Sequence, residues 1–317
     1  MDVSAIISEY GAYYLQSGQG RAALSKILNW KAKTESMFTR IPTQNTKIDR
    51  ASSVMTRLLQ PFQKQWSPTG AVTFTPLSIP LFKMKGDFEE YPDELEETWL
   101  GFLASDDLDR KNWPFVRWLL EQHLMPQMEE DLELNEIYAG VFLTPPTPGT
   151  AGVSGTAMDG IRKIINDQVT AGRITTIATG VPNATPETWV GQVETFVEGI
   201  DKRYWMTPMN IAMSQDLELR YKKGMEIKYN TNYKQENDIA GVKNFPHKVI
   251  GLPSMVGDDK IWCTPKGNAI LGVKRPALAK QFRIEGVDRL VKMYTDGFKG
   301  VGFVLPEIVF TNDQDLV

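Results

Sequence analysis

The sequence has few of the side chains that most catalytic and metal-binding chemistry uses. In 317 residues there is one cysteine, Cys263, and there are two histidines, His123 and His247. One cysteine cannot close an internal disulfide or build a thiolate metal site, which argues against an oxidising compartment and a zinc framework. Neither histidine has a second His or Cys at ligand spacing, so no zinc or iron centre is expected. A His-dependent triad would need one of these two, and no serine motif accompanies either. No apolar run approaches the roughly 20 residues that span a bilayer. No basic start followed by an apolar run opens the chain, so a signal peptide is not expected. The net charge of −4 excludes a molecule that is basic overall and binds nucleic acid through that charge.

Glycine motifs add no chemistry. Gly149, Gly152 and Gly155 precede a helical pattern, but the lysine-plus-hydroxyl ending of a phosphate loop is missing. Gly297, Gly300 and Gly302 are close-set in a segment that continues as a strand. No aromatic stripe interleaved with bases appears, so specific RNA or DNA readout is unsupported. No cofactor is expected, and catalysis is not the expected function. The one enzyme alternative would use paired carboxylates from the acidic stretch 87–97.

What the chain does have is ordinary globular composition, 42% hydrophobic and 23% charged, with the charge segregated. From Arg21 to Lys64 nine bases, among them Lys26, Lys31 and Lys33, face two acids, Glu35 and Asp49. From Asp87 to Glu97 there are seven acids, including Glu89 and Glu90, and no base. From Lys274 to Lys299 seven bases, including Arg275, Arg283 and Arg289, face three acids. Blocks of opposite sign on one chain suit contact between neighbouring copies, because opposed potentials set register and orientation. A set of solvated faces is the plainer reading of each block.

Along the chain, residues 1–66 read as an arm. Val3, Ile6, Ile7, Tyr10 and Tyr14 recur at helical spacing, and residues 17–20 break the pattern. Residues 31–50 are polar and aperiodic, as in an extended or partner-ordered segment. A short helical pattern is expected over 54–59. Residues 71–86 alternate like strands, with Val72 and Phe74, then Leu77, Ile79 and Leu81, two apart. Pro76 and Pro80 demote them to an exposed two-stranded ribbon that cannot bury itself alone. Gly86 is expected to begin the turn into the acids. Residues 112–132 read as a long helix, capped by Asn112 with Pro114 in its first turn. Pro126 predicts a kink or a stop. The Pro/Gly/Thr-rich stretch 143–156 is the expected main boundary. After it come helices over 158–169 and from Pro186, a short strand at 174–178, and a helix over 211–225. Strand-type segments at 249–252, 260–264, 269–273, 287–294, 300–305 and 308–310 close the chain. Helices and strands mix without strict alternation, so the fold class is α+β.

This order of parts resembles the major capsid proteins of tailed bacteriophages, the Hong Kong 97-like fold. Local stretches resemble it too. Residues 207–214 resemble the lead into an A-domain helix. Residues 248–255 with 259–262 resemble an A-domain strand pair, and residues 291–303 the closing P-domain strands. The resemblance implies an N-terminal arm (1–66), an extended E-loop (67–111), a spine helix with the first part of the P-domain (112–150), an A-domain with some P-domain segments (151–273), and closing P-domain strands (274–317).

It also implies a structural, self-assembling subunit that forms pentamers and hexamers of an icosahedral virion shell around double-stranded DNA, assembled in the host cytoplasm. A separate scaffolding protein, a portal and a decoration protein are the implied partners, with no membrane. Phe74, Leu77 and Ile79, and Asp87, Glu89 and Glu90 against Lys274, Arg275, Arg283 and Arg289, are the expected contacts between copies. Arg21, Lys26, Lys31 and Lys33 are the expected DNA-facing bases. Some relatives cross-link neighbours through a lysine, and Lys83 and Lys85 fall in the right region, but no matching motif supports that bond here. An encapsulin-like compartment subunit, or another phage structural protein, is the alternative within this class.

Overall fold

The computed structural model describes Ile6 and residues 33–105, 114–145, 147–229, 241–274 and 283–316. Arg21, Lys26, Lys31, Asn112 and Arg275 therefore lie outside the described residues, as do residues 1–5 and 7–32 of the expected arm. The chain enters through β1 (Thr39–Thr43), β2 (Lys47–Met55), β3 (Val72–Pro80) and β4 (Phe82–Glu90). Helix α1 (Pro92–Ser105) follows, then a long helix α2 over residues 115–136. Next come α3 (Ile161–Thr170), β5 (Thr176–Ile177), α4 (Pro186–Glu198), β6 (Met209–Ser214) and α5 (Gln215–Tyr229). The closing strands are β7 (Lys248–Leu252), β8 (Trp262–Pro265), β9 (Ala269–Lys274), β10 (Arg283–Val287), β11 (Leu290–Phe303) and β12 (Phe310–Asn312).

Among the described residues the strands form three sheets. In the first, β11 pairs antiparallel with β4, β9 and β10, and β1 adds in parallel beside β9. The second has the order β5-β12-β8-β6-β7. The third is the two-stranded ribbon β2-β3. The mixture is α+β, as expected.

Two cores follow from the apolar stripes. Ile161 and Ile165, one helical turn apart on α3, pack with Leu132, Met158, Trp262, Leu271 and Phe303. Trp189, Val193, Phe196 and Val197 of α4 pack with Tyr221 of α5 and with Ile211 and Met213 of β6. Leu217 and Tyr221 face inward as expected. A third cluster joins Ile6, Trp99 and Leu103 to Phe115, Trp118 and Leu119, fixing α1 against α2.

Several local expectations are corrected. The 211–225 helix begins only at Gln215, because residues 209–214 form a strand between β7 and β8. The helical pattern over 54–59 is instead the end of β2 and an irregular segment. Gly86 lies inside β4 opposite Thr295, not at a turn. The strands expected at 287–294 and 300–305 are largely one 14-residue strand, β11. Pro126 does not stop α2. The turn before it, Leu119–Leu124, is π-type, and the helix continues through Met125–Asp131. A wider turn accommodates a residue that has no N–H to donate.

The 143–156 stretch is tied down at its ends. Glu136, buried at the end of α2, accepts hydrogen bonds from the amides of Gly155 (2.8 Å) and Ala157 (2.9 Å). Val141 donates to the Gly155 carbonyl at 2.8 Å. The same core cluster holds Leu132 before this stretch and Met158 after it.

Candidate assembly surfaces

The two-stranded excursion is built from other residues than expected. β3 pairs with β2 in nine residue pairs from Lys47↔Pro80 to Met55↔Val72. The two runs expected to form the ribbon, 72–74 and 77–81, fall mainly on the one strand β3, and the next strand, β4, pairs with β11. The ribbon is therefore a hairpin of residues 47–80 whose loop is 56–71. Its nine pairs extend about 30 Å at the usual rise per residue.

The base of this hairpin crosses the first sheet at glycines. A Cβ on Gly300 would meet the carbonyl oxygen of Pro80, and one on Gly302 would come within 2.7 Å of Ile79. The close-set glycines of this strand thus serve backbone approach, not ligand binding. Ile48, Ile79, Leu81 and Ile270 close over the crossing as a small buried cluster. Ile79, expected to await a neighbour, is therefore covered by its own chain. Leu77 is half-buried, and Phe74 is 69% exposed.

Exposure peaks in the loop. Leu59, Phe62 and Trp66 are 86%, 91% and 88% exposed. Leu59 was expected at the end of a short helical pattern, while Phe62 and Trp66 follow no helical or strand period. The available signal was compositional: three large apolar groups between Pro61, Pro68 and polar residues. The basic members of the loop are Arg57 and Lys64, and no acid occurs from Arg50 to Gly86.

The acidic block divides between two elements. Asp87, Glu89 and Glu90 lie on β4, and the rest open α1. The bases nearest the strand acids belong to the same chain: Lys85 pairs with Asp87, and Lys292 lies 3.6 Å from Glu89 across the β4–β11 ladder. The Asp87 bond raises the Lys85 pKa. The bases expected opposite these acids have other neighbours. Lys274 Nζ sits 4.0 Å from the centroid of the Phe298 ring, and the Arg283 pKa is raised by a hydrogen bond with Tyr294. Arg289 occupies the β10–β11 turn beside Asp288, whose φ is 56°.

Buried charge lies elsewhere. Thr34, on the segment before β1, is fully buried and donates from its N–H and Oγ1 to the Glu133 carboxylate, the latter at 2.7 Å. Its hydroxyl also meets Ser254 Oγ at 2.6 Å. Next to it Glu35 pairs with buried Lys299, whose pKa burial lowers against the pull of that carboxylate. Exposed Lys33 adjoins this strap. Lys260 is wholly buried and donates to the Gln314 carbonyl at 2.8 Å. Burial lowers its pKa to about 8, with Asp315 and Asp258 opposing.

None of this forms a catalytic constellation. Cys263 is fully buried, and burial pushes its thiol pKa up. His247 is buried and stacked on Phe245, and burial lowers its pKa. His123 stands edge-on to Trp118 at 4.6 Å. Among the described residues no group of three or more His, Cys, Asp or Glu side chains could hold a metal. No helix among them is long and apolar enough to cross a membrane. A cavity of about 150 Å³ lies between the hairpin base and α3, lined by residues including Ile79, Ile164, Gln168 and Phe303. No acid from Asp87 to Glu97 lines it.

The long helix, the crossing hairpin, the β11-centred sheet and the second, five-stranded sheet with its two helices together make the Hong Kong 97-like fold, the fold of tailed-phage capsid subunits. Among solved structures the chain is similar to one from the satellite phage P4 procapsid that includes the size determination (Sid) protein. The TM-score is 0.58 at 9% identity, covering 92% of this chain and 88% of that one. A chain of Gordonia phage Cozz gives a TM-score of 0.51 at 8% identity, covering 89% and 86%. The holo-SrpI encapsulin complex of Synechococcus elongatus PCC 7942 gives 0.50 at 12% identity, covering 88% and 86%. No family model matches the sequence, and no curated protein matches it.

Proposed function

We propose that this chain is a major capsid protein that assembles with copies of itself into a closed icosahedral shell. The observation that carries the reading is the hairpin. It projects from the core and holds Leu59, Phe62 and Trp66 in solvent at its end. Exposed apolar groups clustered in this way mark an interaction surface. On a fold shared with phage capsid chains, the natural cover is another subunit.

Pentamers and hexamers are the proposed building rings, and packaged double-stranded DNA the proposed content. The basic arm, with Arg21, Lys26, Lys31 and Lys33, would face that DNA without reading sequence. Residues 1–66 and 67–111 remain our proposed arm and E-loop, with strand β2 of the hairpin lent by the arm. A scaffolding protein, a portal and a decoration protein are proposed partners, and the virion the proposed location.

Magnitudes favour apolar contact over charge as the adhesive. An exposed ion pair contributes about 0–1 kcal/mol. Full burial of a large apolar side chain contributes about 1.5–3 kcal/mol.

The test is negative-stain electron microscopy of the purified chain at high concentration, with sedimentation alongside. Shells, or rings of five or six, support the reading. A persistent monomer or dimer, even with its scaffolding partner supplied, overturns it. The encapsulin likeness favours a second reading, a compartment shell that encloses protein cargo. Particles from the native host that hold a cargo protein instead of DNA would select it.

A further inference from the structure

We propose that the cavity between the hairpin base and α3 is a binding site for a small primary amine, an ammonium head on an apolar body the size of one ring. The site lies within a single subunit, so it stands apart from the assembly reading.

Three elements distant in sequence meet there. Leu77 and Ile79 come from β3, Ile164 and Gln168 from α3, and Val301 and Phe303 from β11. The gap has a topological origin. β4 accompanies β11 only as far as the Phe82↔Lys299 pair. Past that point β11 meets the base of β3 across Gly300 and Gly302, and among the described residues β3 pairs with β2 alone. No ladder draws these two strands together, and the space beside the crossing stays open under α3. It measures about 150 Å³. A cavity of that volume with apolar walls holds one benzene-sized molecule.

The polar part of the wall is rich in acceptors. Among the described residues, Asp159 and Asp167 line the cavity and no base does. One ammonium, Lys163 Nζ, serves both carboxylates, at 3.7 Å from Asp159 and 2.7 Å from Asp167. Two carboxylates against one lysine leave negative charge unbalanced at the cavity. Gln168 adds a further acceptor: its Oε1 is buried and has no hydrogen-bond partner among the described residues. A buried acceptor left unpaired is costly. The terminal torsion of glutamine is soft, so the amide can turn that oxygen to an occupant. An ammonium, with three donors and no acceptor, suits such a wall. An alcohol brings no charge to it, and a carboxylate brings the wrong one. The occupant would touch hairpin, helix and sheet at once. By binding only the folded chain it would brace the hairpin base and raise stability.

The test is isothermal titration calorimetry of the full chain with benzylamine, and with benzyl alcohol and benzoate as probes of similar shape. The expected result is saturation at one benzylamine per chain, severalfold weaker binding of benzyl alcohol, and none of benzoate. Gln168→Leu should weaken benzylamine about tenfold, the worth of one charge-assisted hydrogen bond. Asp167→Asn should weaken benzylamine and leave benzyl alcohol as it was. Ile164→Phe should fill the space and remove both, and Gln168→Leu decides the matter should the larger side chain disturb the core. Benzylamine that never saturates, or that binds Gln168→Leu as it binds the parent, overturns the site. Benzoate binding as tightly as benzylamine, or Asp167→Asn without effect on benzylamine, overturns the choice of an amine. None of these outcomes touches the shell reading.

Discussion

Gly300 sits where two backbones nearly touch, and its missing side chain is what lets the hairpin cross. A methyl group there collides with the Pro80 carbonyl, which is backbone and cannot rotate away. Gly300→Ala is expected to cost about 1–3 kcal/mol, the usual range for overpacking. The checking measurement is chemical denaturation, and a midpoint unchanged from the parent would remove the crossing as the reason for this glycine.

Lys260 gives a pH signature of its own. Unfolded lysine titrates at 10.5 and Lys260 in the fold at about 8, so between these values the unfolded chain binds more protons. Stability therefore rises with pH across that window, and below pH 8 the full penalty of the buried charge applies. By pH 9.5 the gain amounts to about 2 kcal/mol. Lys299, also lowered by burial, acts in the same direction. Cys263, whose thiol pKa burial raises from 9.0, opposes from about pH 9 and trims this gain, and Tyr138, raised by burial and the nearby Asp258 charge, opposes only above pH 10. Denaturation midpoints should thus increase from pH 7.5 to 9.5, and Lys260→Met should reduce the increase.

Among the elements, α2 and the stretch behind it act as one piece through Glu136. Glu136→Ala strands the amides of Gly155 and Ala157 without their acceptor, each at a cost of about 1–3 kcal/mol. The expected outcome is faster proteolytic nicking between residues 141 and 157, followed by gel and mass spectrometry, with the α4–α5 region left intact. How far the elements could be read from sequence follows their surroundings. α3 and α4 were legible because each buries one stripe and exposes the other. β6 was not: five of its six residues are buried, so it shows neither alternation nor a helical stripe. β2 was missed because its partner is β3, and the residues of KIDRASSVM alone do not announce that pairing. The proline-broken stretch was legible as part of an exposed ribbon, but its two runs lie mainly on β3, and the second strand is β2. The loop apolars escaped because their meaning lies in their exposure, which only the fold reveals.

For the whole molecule, the hairpin loop separates folding from assembly. Its large apolar groups are exposed and belong to none of the core clusters. Replacing residues 58–69 with a short Gly-Asn turn should leave the thermal midpoint within a few degrees of the parent. The same change should abolish shells or rings in the microscope. Particles forming as before would show that the hairpin end is not the adhesive surface.

The way β4 lies along β11 also sets how the molecule carries a load. If a second copy covers the loop as proposed, outward pressure on a closed shell would pull along β3 and, through the crossing, along β4. The pull runs parallel to nine residue pairs with β11, from Val291↔Glu90 to Lys299↔Phe82. A strand pulled along its own axis must slip all of its rungs together, whereas one lifted from its end peels one rung at a time. Under the proposed assembly the ladder would be strained in shear, its stronger direction, and the expanding contents of a shell would meet tensile ties instead of zippers.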